Sequence, residues 1–219
     1  MTPHSHTITP SALSSGSLEI ICGSMFSGKS EELIRRMRRA EIARQSIALF
    51  KHHFDTRTHV EYVTTHNGEK MGACAVKSAY DITLLTDPCT QVVGIDEIQF
   101  FDTTIISVVA TLVRQGVRVI AAGLNLDFRA VPFGSMPTLL ALADSVTKLA
   151  AVCAICGKDA QYTQRLINGS PAQYDDPIIL VGAQDNYQAR CRSCYVINKT
   201  PDWNKLPLHG KTEQSIHLH

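Results

Sequence analysis

The stretch Gly23-Ser24-Met25-Phe26-Ser27-Gly28-Lys29-Ser30 fits the pattern GxxxxGK[ST]. In such a loop the glycines let backbone N–H groups turn inward around phosphate oxygens, the lysine reaches the β- and γ-phosphates, and the hydroxyl that follows ligates Mg²⁺. Lys29 and Ser30 take those roles here. A chance glycine-rich turn is the competing reading, and context decides between them. Mg²⁺ bound this way is also held by a carboxylate from a neighbouring strand end. Val92-Val93-Gly94-Ile95-Asp96-Glu97 supplies one. Asp96 serves the metal through water, and Glu97 orients and deprotonates a nucleophile. An ordinary Glu, with a pKa of about 4.3, does not strip an alcohol in the ground state. A loose phosphoryl-transfer transition state asks only that it take the proton late. Water and a substrate hydroxyl both remain open as the nucleophile.

A second chemical element lies further along. Cys153-x-x-Cys156 and Cys191-x-x-Cys194 are two CxxC pairs in a chain whose odd cysteine total and lack of an export signal argue against a disulfide framework. They point to a closed, structural four-thiolate zinc site. A thioredoxin-type dithiol explains one pair and leaves the other idle. Cys22, Cys74 and Cys89 stand singly and read as small buried apolar residues.

These groups need elements to carry them. Leu18 to Cys22 reads as a strand before the phosphate loop, and about Ser30 to Arg44 as a helix after it, with Leu33, Ile34, Met37 and Ala40 on one face. Glu31 and Glu32 precede Arg35 and Arg36 in favourable i,i+4 order, so the arginine-rich face is expected to be solvated or to touch another subunit. Short strands follow near 46–50 and 91–95, with Asn67-Gly68 as a hairpin turn between them. Asp102 is expected to N-cap a helix bearing Ile105, Val108, Val109, Leu112 and Val113 and closed by Gly116. A strand over 117–122, a helix over 138–143 and a strand over 145–152 complete the series. Strands alternating with helices, with nearly continuous apolar strand runs, indicate an α/β fold whose parallel sheet is covered on both faces. The expected division is a disordered leader over 1–17, a P-loop nucleotide-binding domain over 18–150, a zinc-binding module over 151–196 with extended segments near 161–166 and 178–181, and a loose tail over 197–219.

Composition narrows the function. Hydrophobic residues make up 44% and charged residues 19%, enough apolar content for a real core. A net charge of +1 and 6% aromatics disfavour a nucleic-acid-coating protein and a RecA-like ATPase or helicase fragment, the first rival reading. A non-catalytic nucleotide-binding regulator is the second. No membrane segment and no secretory leader is expected, which makes the cytoplasm the default location.

With Asp55-Thr56-Arg57, Asp96-Glu97-Ile98-Gln99-Phe100-Phe101, Asp127-Phe128-Arg129, Pro132-Phe133-Gly134, Tyr162-Thr163-Gln164-Arg165 and the run from Tyr187 to Tyr195 added in this order, the sequence resembles the thymidine kinase family of the cytosolic vertebrate and bacterial type (type II), over about 18–196. The resemblance implies a P-loop (RecA-like) sheet plus a small zinc-ribbon-like domain that closes a lasso over the nucleoside. It implies ATP-dependent phosphorylation of the thymidine 5′-hydroxyl in nucleotide salvage, with Mg²⁺ and structural Zn²⁺ and with deoxyuridine as a poorer substrate. Glu97 would be the general base and Arg57 would stabilise charge on the transferring group. Asp55, Thr56, Ile98 and Gln99 would join the loop residues and Asp96 around ATP. Met25, Phe100, Leu124, Phe133 and Thr163 would line the nucleoside pocket, Phe128 would stack near the thymine and Tyr187 would pack by the sugar. Backbone groups of Ile178, Ile179, Leu180, Val181 and Gly182 would meet the base edge. Family members are commonly homotetramers inhibited by the end product dTTP, and no nucleic-acid or membrane partner is implied. Asn125 stands where the family usually has an acidic residue, so a charge-based role is not carried over there.

Overall fold

The computed structural model describes residues 15–54, 62–64, 70–178, 186–199 and 201. The chain begins with β1 (Ser17–Gly23), α1 (Lys29–Ile42) and β2 (Ile47–His52). An antiparallel pair, β3 (Tyr62–Thr64) and β4 (Lys70–Gly72), precedes β5 (Cys74–Val76) and α2 (Ala79–Leu85). Next come β6 (Val92–Asp96), a 3₁₀ turn over Ile98–Phe100, α3 (Thr104–Arg114), β7 (Arg118–Gly123), α4 (Met136–Leu142) and β8 (Ser145–Leu149). One six-stranded sheet forms in the order β5-β2-β6-β7-β1-β8, with every pairing parallel.

Both faces are covered, so the central strands read as apolar runs rather than as an alternation. Ile21, Ile120 and Ala122 meet Leu33, Ile34, Met37 and Ala40 of α1 on one side. Ile20, Cys22, Val119 and Ala121 meet Ile105, Val108, Val109 and Leu112 of α3, together with Ile82 of α2 and Leu139 of α4, on the other. Period-two alternation along each strand thus divides two cores instead of core from solvent. The arginine face of α1 is only partly solvated. Arg36 bonds Glu32 at 2.8 Å, Glu19 of β1 at 2.7 Å and Thr147 of β8 at 2.8 Å, tying the helix to the sheet.

Several boundaries differ from the sequence expectation. The polar stretch after residue 50 contains β5 and α2, and Ser78 with Asp81 forms a complete capping box for that helix. α3 starts at Thr104, whose N–H donates to the Asp102 carboxylate at 3.0 Å. α4 starts at Met136 because Pro137 suits a first helical turn. The strand expected over 145–152 breaks at Ala150, since β8 pairs with β1 while Ala151 and Val152 turn away to pair with Asp159 and Ala160. Asn67-Gly68 lies outside the described residues, although β3 and β4 flank it in hairpin register. Among the described residues no helix is long and apolar enough to cross a membrane.

His52 ends β2 with only 3% of its surface exposed, edge-on to Phe101 at 4.7 Å, and its Nδ1 accepts the Phe54 N–H at 3.2 Å. Burial, with His53 alongside, pushes its pKa from 6.5 down to about 4. Between those values the unfolded chain binds a proton that the folded chain refuses, so stability falls as pH drops through that window. Replacing His52 by Asn, which keeps an acceptor near Nδ1, is expected to make stability less pH-dependent between about 6.5 and 4 in denaturant titrations. An unchanged slope would assign the acid sensitivity to other groups.

Candidate active site

All six sheet strands run the same way, so their carboxyl ends open onto one edge, where crevices form in sheets of this kind. β1 delivers the phosphate loop to that edge. Gly28 adopts φ 81°, a left-handed conformation that glycine enters without strain, and α1 begins at the next residue. The Lys29 ammonium donates to the Ser24 carbonyl at 2.8 Å, and the Ser27 hydroxyl donates to the same oxygen at 2.8 Å. The loop is therefore closed on itself, with its N–H groups at the start of a helix.

β6 brings the acids. The Ser30 hydroxyl donates to Asp96 Oδ2 at 3.0 Å, uniting the two oxygen ligands expected around Mg²⁺. Hydroxyl and carboxylate are the hard donors that this cation takes, so the residues fit the ion. Glu97 turns sharply at φ 53°, its N–H donating to Asp96 Oδ1 at 3.0 Å, and the residue is 8% exposed. Its Oε2 accepts the Gln99 side-chain amide at 2.6 Å. The side chain of Ile98, a residue expected near ATP, packs in the core.

The segment after β7 forms the opposite wall. Asp127 accepts the N–H groups of Arg129 at 2.8 Å and Val131 at 3.1 Å and pairs with the Arg129 guanidinium at 2.7 Å, folding the segment into a tight turn. Burial still raises the Asp127 pKa, with Arg129 opposing. Phe133 lies edge-on to Phe100 at 5.8 Å, and the Arg165 guanidinium sits 5.3 Å over the Phe128 ring. Leu124 is half-buried at the head of this wall. The Asn125 side-chain oxygen is buried with no hydrogen-bond partner among the described residues, a place where an ionised carboxylate would be costly.

The cysteines occupy two turns. Cys153 and Cys156 lie between β9 (Ala151–Val152) and β10 (Asp159–Ala160). A three-stranded sheet follows, with β11 (Tyr162–Ile167) between β12 (Ser170–Pro171) and β13 (Asn186–Arg190), and Cys191 and Cys194 lie directly after β13. The four Sγ atoms lie within 4.8 Å of one another. Thiolates at about 2.3 Å from a tetrahedral zinc ion would be about 3.8 Å apart, so the cluster can hold such a metal with little movement. Burial raises the Cys153 pKa, but backbone N–H donors outweigh it and bring the value to about 6. Bonds to neighbouring thiols, Cys156 foremost, push Cys194 up to about 12.

This cysteine-bearing region grips both walls. The Ser24 hydroxyl donates to the Ala160 carbonyl at 3.1 Å, and the Met25 N–H donates to the Thr163 hydroxyl at 3.0 Å. Thr163, expected in the nucleoside pocket, is thus a tether for the phosphate loop. The Tyr195 hydroxyl donates to the Phe128 carbonyl at 2.6 Å while its ring stacks on Tyr162 at 4.9 Å. Tyr187 on β13 stands opposite Arg165 on β11. Arg165 donates to the Pro177 carbonyl at 2.6 Å, next to Ile178. Asp55, Thr56 and Arg57, with Ile179, Leu180, Val181 and Gly182, lie outside the described residues.

Sequence reasoning gave Gln99 no bridging role and Tyr195 and Arg165 no role at all. Their signal was present only as polar residues inside quoted motifs, because strand periodicity does not say which buried polar group meets which partner. A family model described as thymidine kinase matches residues 16–195, covering both the sheet and the four cysteines.

Tyr195→Phe removes one hydroxyl and its bond to Phe128. A neutral hydrogen bond contributes about 1 kcal/mol, so the KM for the nucleoside is expected to rise roughly fivefold while bound metal per chain is unchanged. An unaltered KM would show that Phe128 keeps its place without this tether.

Proposed function

The chain belongs to the thymidine kinase family, a kinase that phosphorylates thymidine, and from that premise we propose that it transfers the γ-phosphate of ATP to the thymidine 5′-hydroxyl, giving dTMP in nucleotide salvage. The observation that carries the reading is the Ser30–Asp96 hydrogen bond at 3.0 Å with Glu97 as the next residue. It brings the glycine loop, a hydroxyl–carboxylate pair and a second carboxylate to one sheet edge, which supports the reading.

In this reading the loop N–H groups and Lys29 hold the ATP phosphates, and Ser30 and Asp96 hold Mg²⁺, Asp96 through water. A cation held there would offset negative charge on the β- and γ-phosphates. Glu97 accepts a hydrogen bond from the 5′-hydroxyl. As the bond from O5′ to the γ-phosphorus forms, the bond from phosphorus to the β,γ-bridging oxygen breaks, Glu97 takes the proton, and ADP leaves with the electron pair. Arg57 stabilises charge on the group in flight, with Asp55 and Thr56 nearby. Phe128, Met25, Phe100, Leu124, Phe133 and Tyr187 surround the nucleoside, and backbone groups over 178–182 read the base edge. The boundaries 18–150 and 151–196 separate a nucleotide domain from a lasso domain whose four cysteines hold structural Zn²⁺. Cytoplasmic location, a homotetramer and inhibition by dTTP complete the proposal, all resting on family likeness.

A coupled ADP-release assay across the natural deoxynucleosides, with and without Mg²⁺, tests it. Thymidine should give Mg²⁺-dependent turnover. Deoxyuridine should follow at about 10- to 200-fold lower efficiency, since one methyl contributes only about 1–3 kcal/mol. Equal rejection of deoxyuridine and deoxycytidine would remove the methyl-pocket reading. Glu97→Gln should lower kcat roughly 10²- to 10⁴-fold with ATP binding kept; retained turnover would sink the assignment of the base. Elemental analysis should find zinc in the wild type and a loss of it in Cys156→Ser.

A further inference from the structure

Gln99 is fully buried, two residues beyond Glu97 in the chain, and its side chain touches two elements at once. Its Nε2 donates to Glu97 Oε2 at 2.6 Å, and its Oε1 accepts the Leu124 N–H at 3.0 Å. The orientation of the amide follows from its partners. A backbone N–H only donates and so requires the amide oxygen, which leaves the NH₂ group facing the carboxylate. Two glycines make room for this residue. A Cβ on Gly123 would meet Gln99 Oε1 at 2.6 Å, and one on Gly134 would meet the Gln99 carbonyl oxygen at 2.8 Å.

We infer that Gln99 is a positioning residue for phosphoryl transfer: its amide fastens the Glu97 carboxylate to the end of β7, where the 124–134 wall begins. The inference rests on the reading of Glu97 as the base and assigns Gln99 a place behind that carboxylate rather than on the phosphates of ATP. A carboxylate on a flexible stem samples many directions. One charge-assisted hydrogen bond to an amide that is itself anchored removes most of them. Because the anchor is the Leu124 N–H, the direction of Glu97 follows the position of the wall against which the nucleoside is proposed to lie. Misplacement of a reacting group by about 1 Å can cost on the order of 10²-fold in rate.

Steady-state kinetics in both substrates test this with three variants. Gln99→Met keeps the volume and loses both hydrogen bonds. Gln99→Glu sets a carboxyl group against a carboxylate. Gly123→Ala leaves Gln99 in the chain but presses on its Oε1, and supplies the same readout should Gln99→Met fail to fold. Each is expected to lower kcat roughly 10- to 100-fold, with KM for thymidine and for ATP changed less than about threefold. Within a Glu97→Gln background Gln99→Met should cost little more, because groups acting as a unit are non-additive. A wild-type kcat in Gln99→Met, or a raised KM for ATP with kcat retained, would overturn the inference; the latter would make Gln99 a phosphate contact. Full additivity with Glu97→Gln would also overturn it, as a general loss of structure. If Glu97→Gln alone keeps its turnover, the base assignment fails first, and that outcome is distinct from an intact base requirement with an indifferent Gln99.

Discussion

The hydrogen bond from Ser30 to Asp96 is the contact around which the site is arranged. It joins the first turn of α1 to the last residue of β6, across the width of β7, and it exists because β1, β7 and β6 are parallel and end together. An antiparallel neighbour would have sent one of the two partners to the far edge of the sheet. The two buried cores hold that register, since sliding either strand by one residue would exchange the α1 and α3 faces. The chemistry at the edge thus depends on packing well away from it.

The cysteine-bearing region adds a second constraint. Small β-hairpins have little apolar area of their own, and the apolar cluster here consists of Ala151, Ala160 and Ala189 with Cys153 and Cys191. Such a core is marginal without a cross-link. Yet its strands supply Ala160 and Thr163 to the phosphate loop and lead on to Tyr195, which reaches Phe128. A metal held by the four cysteines would therefore do more than stabilise a small sheet. It would fix the spacing between the loop at the end of β1 and the segment at the end of β7.

Much of this was legible in the residues. The phosphate loop, the acidic strand end, both CxxC pairs and the central strands follow from local pattern, because glycine, charge and apolar periodicity act over a few residues. What escaped reading was contact between distant segments. Nothing local marks Thr163 as the acceptor of the Met25 N–H or Gln99 as the link between β6 and β7. α2 escaped for a different reason: with seven residues it is too short for periodicity to show, although Ser78 and Asp81 carry its capping signature. The break at Ala150 escaped because an apolar run gives no sign that the chain is changing sheets.

Lys29 illustrates what a preformed loop implies for the energetics of ligand capture. Its ammonium is already engaged with the Ser24 carbonyl, inside a loop that Ser27 also draws closed. Were a triphosphate bound there as proposed, a neutral oxygen would be exchanged for charged ones at a fixed point, and the backbone would already be ordered before binding. On that proposal, nucleotides with shorter phosphate tails would gain less from the swap, and the closed loop would set a threshold on the anions able to enter.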